Sequence, residues 1–73
     1  MSANWTVTVA SPPDREHLVA EIFLGDVQWA EINQEQDALE VEFYSRPDGK
    51  PWRIPLHAAT GALEDAKRKL TGY

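Results

Sequence analysis

The stretch HLVAEIFLGDVQWAEIN, residues 17–33, decides how this chain folds. It reads as two strands, His17 to Leu24 and Val27 to Asn33, joined around Gly25-Asp26. A two-residue Gly-Asp loop pairs Leu24 with Val27 and Ile22 with Trp29. That register sets Leu18, Ala20 and Ile22 on one face with Glu31 and Asn33, which makes a poor core. One extra residue in the connection pairs Ile22 near Gln28 and Ala20 near Ala30, and aligns Leu18, Ala20 and Ile22 with Ala30 and Ile32. A slip of one residue turns every side chain of a strand to the other face, so the apolar pattern favours a longer loop or a bulge.

Working outward, Trp5, Val7 and Val9 alternate with Thr6, Thr8 and Ala10, which predicts a first strand. Ser11-Pro12-Pro13-Asp14 breaks it, because two prolines cannot donate to a ladder. Downstream, Asn33 to Asp37 is a polar turn, after which Leu39, Val41 and Phe43 alternate with Glu40, Glu42 and Tyr44 in a fourth strand. Arg46-Pro47-Asp48-Gly49-Lys50 is the strongest local turn signal, since Pro-Asp-Gly supplies both a fixed φ and a left-handed position. A short fifth strand is expected at 52–54, flanked by Pro51 and Pro55 and so marked as an edge.

The last segment predicts a helix. Leu56, Ala59, Leu63, Ala66 and Leu70 form one apolar stripe. Pro55 suits the first turn, Gly72 suits the left-handed end, and Lys67 to Lys69 lie where the helix dipole favours cations. Glu64 with Arg68 and Asp65 with Lys69 are favourable pairs, and Gly61 is a weak point that would let the helix begin near Thr60 instead. The expected fold is α+β: an antiparallel β-meander of four to five strands with one C-terminal helix packed on one face, a single domain over residues 1–73.

A chain of 73 residues buries only about 60% of the surface it exposes when unfolded. Its stability margin is therefore about 3–5 kcal/mol. There is no cysteine, so no disulfide or Cys-based metal clip reinforces it. A hydrophobic content of 42% argues for a packed domain over a disordered one. Residues 1–5 lack the basic and apolar parts of a secretory signal and no apolar run is long enough to span a bilayer, so the expected compartment is the cytoplasm.

Charge is divided unevenly. Residues 1–42 carry nine acids and one base, −8, while residues 43–73 carry +3, giving the net −5. The acids alternate with apolar residues on predicted strands, so they belong to sheet faces. This balance argues against nucleic acid, where neutralising phosphates supplies most of the affinity.

If Leu18, Ala20, Ile22, Ala30, Ile32, Leu39, Val41 and Phe43 face the helix, the opposite face carries Val19, Glu21, Phe23, Val27, Trp29, Glu31, Glu40, Glu42 and Tyr44. One helix cannot cover both faces of a sheet. The candidate partner-binding residues are therefore Phe23, Trp29 and Tyr44 with Glu21, Glu31, Glu40 and Glu42. Aromatic rings among charges are what interfaces favour. The same pattern also describes a solvated face that carboxylates keep soluble.

The expected function is a non-enzymatic interaction module that binds a basic protein, by analogy with inhibitors such as immunity proteins and antitoxins. The first alternative is a homodimer with a structural or accessory role. The second is a ligand binder or enzyme using the sheet carboxylates, which would need a cleft that so short a chain hardly encloses. No catalytic residue, metal or cofactor is expected. His17 and His57 lack metal-ligand spacing, and the glycines are isolated and form no phosphate-binding loop. Arg46, Lys50, Trp52 and Arg53 form a small basic-aromatic patch that reads first as charge protecting an edge strand, with an anionic ligand as the alternative.

Overall fold

The computed structural model describes residues 4–72; Met1 to Ala3, at the segment read above for a leader, and Tyr73 lie outside them. Four strands, β1 (Trp5–Ala10), β2 (Val19–Leu24), β3 (Val27–Asn33) and β4 (Glu40–Phe43), are followed by one helix, α1 (Leu56–Thr71). The strands lie in chain order, β1-β2-β3-β4, each antiparallel to its neighbour. The α+β meander read from the sequence is the architecture found.

The β2–β3 hairpin combines a tight turn with a bulge. Leu24 pairs with Val27 across Gly25-Asp26, and Gly25 takes a φ of 63° that a glycine adopts freely. Phe23 then pairs with Gln28, the register shifts, and Ile22 pairs with Ala30 and Ala20 with Ile32. Trp29 is the extra residue. The bulge therefore brings Ala20 and Ile22 alongside Ala30 and Ile32, although the pairs differ by two residues from those expected with an enlarged loop. Those four residues are buried.

The helix packs across β1 and β2 and touches β3 slightly, without contacting β4. The core gathers Ala20, Ile22, Trp29, Ala30, Ile32, Ala62 and Ala66, with Trp5, Val7, Trp52, Ile54, Ala59, Leu63 and Leu70 packed around them. Two sequence expectations fail here. Leu18, Leu39, Val41 and Phe43 were assigned to the core, yet all are exposed. Leu56, the first residue of the apolar stripe, is 79% exposed. A helix about 10 Å wide cannot cover four strands spaced about 4.8 Å apart, which leaves Leu39, Val41 and Phe43 bare, while Leu18 lies just before β2 and Leu56 opens the helix, each at an element's end.

Residues 52–54 form no strand. Trp52 instead packs on the core and donates its indole N–H to the Tyr44 carbonyl at 2.7 Å, while prolines on either side keep this segment out of a ladder. The turn before it forms as read, with the Gly49 amide on the Arg46 carbonyl at 3.1 Å. The helix starts at Leu56 with Pro55 as its cap and ends at Gly72, whose φ is 81° and whose amide bonds the Arg68 carbonyl at 2.8 Å. Asp65 bridges to Lys69 at 3.5 Å and lies 4.0 Å from Arg68, whereas the Glu64–Arg68 pair does not form.

Candidate interaction surface

Register alone brings three glutamates into one row. Thr8 pairs with Glu21, Glu21 with Glu31, and Glu31 with Glu42. Glu40 lies one pair further along β4, opposite Asn33. Like charges directly opposite each other destabilise a sheet, so this row needs a cation.

Arg15 supplies it. The guanidinium reaches from the β1–β2 loop across the sheet to the Glu42 Oε1 at 2.8 Å and the Glu31 Oε2 at 2.9 Å. The Glu42 contact is an aligned hydrogen bond, whereas the Glu31 contact is a charge contact without hydrogen-bond alignment. Glu31 is only 4% exposed, and its other oxygen accepts from the Tyr44 hydroxyl at 3.2 Å. The Glu31 carboxylate, first of all, raises the pKa of Arg15. Burial, and then the Glu31 and Glu42 charges, push the Tyr44 phenol above its ordinary range, so it stays a donor.

The loop that carries Arg15 is itself tied to the β3–β4 turn. Glu35 accepts the amides of Glu16 at 3.0 Å and His17 at 3.1 Å, and the Gln34 amide group donates to the Leu18 carbonyl at 3.0 Å. Those amides, led by that of Glu16, hold the Glu35 carboxyl below its ordinary range. Val19 is buried completely, on what the sequence suggested was an open face, and Asn33, opposite Glu40, is nearly so.

The proposed cluster of seven site residues is accordingly divided. Trp29 is not on the far face. The bulge turns it into the core, where its indole meets Trp5 at 5.1 Å and Phe43 at 5.3 Å between ring centres. Val27, opposite Leu24, lines a depression with Trp52 and Arg46. Glu31 is sequestered by Arg15 and Tyr44, and Glu21, Phe23 and Tyr44 are half-buried. Glu40 and Glu42 remain exposed. In the basic-aromatic patch, Arg46 is occupied by Asp48, bonding it through Nε at 3.0 Å, and stacks over Trp52 at 5.6 Å.

What the sequence reading missed is the other side of β4. Leu39, Val41 and Phe43 are 39%, 41% and 56% exposed on the side where α1 lies, because the helix stops short of them. Ile32, Leu39, Val41 and Leu63 line a shallow groove between β4 and the helix, bordered by Glu64 and Lys67. The one sequence signal for Arg15 is its charge, the lone base among the nine acids of residues 1–42. The exposed row had none, since alternation does not say where a helix ends.

Among the described residues no helix is long and apolar enough to cross a membrane, and no three His, Asp or Glu side chains are grouped as metal ligands. Comparison with protein families, with curated proteins and with solved structures finds no match to this chain.

Proposed function

We propose that this chain is a non-enzymatic protein-interaction module that engages a basic partner through β4 and the groove beside it. The observation that carries this reading is the alternation along β4 and the residue before it: Leu39, Val41 and Phe43 exposed on one side, Glu40 and Glu42 exposed on the other. A contiguous exposed apolar row beside charge is characteristic of a contact surface and is otherwise an aggregation liability. The excess of −8 over residues 1–42 would speed encounter with a cationic partner and would be screened by salt. An inhibitory role against a basic enzyme fits this character.

The test is capture of a partner by immobilised protein, comparing wild type with Phe43→Ser and with Glu40→Gln. Phe43→Ser should abolish capture while leaving the far-ultraviolet spectrum unchanged, and Glu40→Gln should weaken it and flatten its salt dependence. Capture that ignores both changes would refute the reading.

A further inference from the structure

We infer that β4 takes up an extended segment of a partner protein as an added strand, one in which apolar residues alternate with lysine or arginine. The inference rests on the reading of β4 as a contact surface and specifies its mode.

β4 is a sheet edge. The amide of Tyr44 bonds the Trp29 carbonyl at 2.9 Å, which sets the phase of the ladder just beyond the strand. In an antiparallel pair, residues point their backbone groups alternately toward and away from the neighbour. Glu42 and Glu40 therefore share the inward phase of Tyr44, while Val41 and Phe43 aim their N–H and C=O groups outward. Among the described residues, no turn, loop or side-chain hydrogen bond reaches those outward groups. Proline and lysine are absent from the strand; its charges are Glu40 and Glu42, which guard the edge against an acidic strand and admit a basic one.

The two sides of the edge state what the incoming strand must look like. On the helix side, Leu39, Val41 and Phe43 leave apolar surface for alternate residues of the segment. On the other side, a residue placed opposite Glu40 or Glu42 meets a carboxylate, and Arg15 is shared between Glu42 and the buried Glu31. Opposite charges across strands stabilise and like charges destabilise. A second copy of this chain is the poorer occupant: two-fold pairing about Val41 would set Glu40 against Glu42 of the second copy on both sides of the axis. Strand addition draws its affinity from main-chain bonds and its specificity from such alternate side chains.

The experiment titrates isotopically labelled protein with two synthetic peptides, acetyl-KVKVKVK-amide and acetyl-EVEVEVE-amide, and follows amide shifts and hydrogen exchange. The lysine peptide should bind saturably, move the signals of residues 39–45 and slow exchange at Val41 and Phe43. The glutamate peptide should bind at least about tenfold more weakly. Val41→Pro removes an outward donor without touching the β3 ladder, so it should keep the fold and weaken binding of the lysine peptide at least about tenfold. If that variant unfolds, Val41→Lys replaces it, with the same loss expected. Equal binding of both peptides, shifts confined to other elements, or protection of Val41 and Phe43 by self-association without peptide would each overturn the inference. Partner capture that is lost with Phe43→Ser but unchanged with Val41→Pro would sink strand addition while leaving the contact surface standing; insensitivity to both would remove the two together.

Discussion

The indole of Trp29 and the ring of Phe43 stand 5.3 Å apart between centres, tilted at 58°, yet Trp29 is 6% exposed and Phe43 56%. The boundary between core and surface thus runs between two touching rings. Trp29 on its other side meets Trp5 edge-on, so three aromatics cross the sheet from β1 to β4 and only the last lies beyond the core.

Trp29→Ala should remove about 3–5 kcal/mol, the usual range for truncating a buried aromatic. That equals the whole stability margin of about 3–5 kcal/mol for a chain this short, so the variant should be largely unfolded at room temperature. Phe43→Ala, with over half its ring already in water, should lose less than about 1.5 kcal/mol. Thermal melts followed by circular dichroism distinguish the two, and a native-like melt for Trp29→Ala would contradict its place in the core.

Removing the cation from the acidic row should be more damaging than removing both partners of the pair. Arg15→Ala leaves the Glu31 carboxylate buried with the Tyr44 hydroxyl as its hydrogen-bond partner, so the midpoint of urea unfolding should fall. Adding Glu31→Gln should recover most of that loss. A double-mutant cycle measures the coupling, and strictly additive effects would mean that Arg15 does not act through Glu31.

The tether of the β1–β2 loop should release in acid. The folded pKa of Glu35 lies below its ordinary value because its ionised form holds the Glu16 and His17 amides. The unfolded or released state therefore binds the proton more readily, so the contribution is complete above the ordinary value and is lost as pH falls through the folded one. Protection of the Glu16 and His17 amides should decay below about pH 4.3, where free glutamate protonates, while β2–β3 amides persist. Glu35→Gln should show weak protection at every pH. Hydrogen exchange corrected for intrinsic rates provides the check.

Gly61 in the helix and Gly72 at its C-terminal cap should respond in opposite senses. Gly61 lies in the exposed interior of α1, and a methyl group there meets nothing within 4 Å, so Gly61→Ala should stabilise by about 1 kcal/mol. Gly72 has equal space but a φ of 81°, so Gly72→Ala should destabilise by about 1 kcal/mol through backbone strain alone. In a domain of this size each change corresponds to a shift of about 4–8 °C in Tm.

Alternation in β1, β2 and β4, the Gly-Asp and Pro-Asp-Gly turns and the apolar stripe of the helix were legible in the sequence because each depends on neighbours within a few residues. The hairpin also betrayed its irregularity, since Ala20 and Ile22 can join Ala30 and Ile32 only if one residue is accommodated. Whether a loop or a bulge absorbs that residue was not written locally. The choice of a bulge turned Trp29 inward and removed it from the face to which simple alternation assigned it.

By itself, then, the sequence determined the order of the four strands and the helix, and the meander they form, because strand periodicity and turn chemistry are short-range, whereas the row of Glu21, Glu31 and Glu42 waited on the register that the bulge sets. Tertiary structure alone decided which apolar residues are covered. The helix lies over β1 and β2, and its width leaves Leu39, Val41 and Phe43 uncovered though they repeat with the same period as the buried residues. It also decided that Arg15, far from Glu42 along the chain, lies beside it in space. Periodicity gives a side chain its face, but only the placement of a second layer gives that face its solvent.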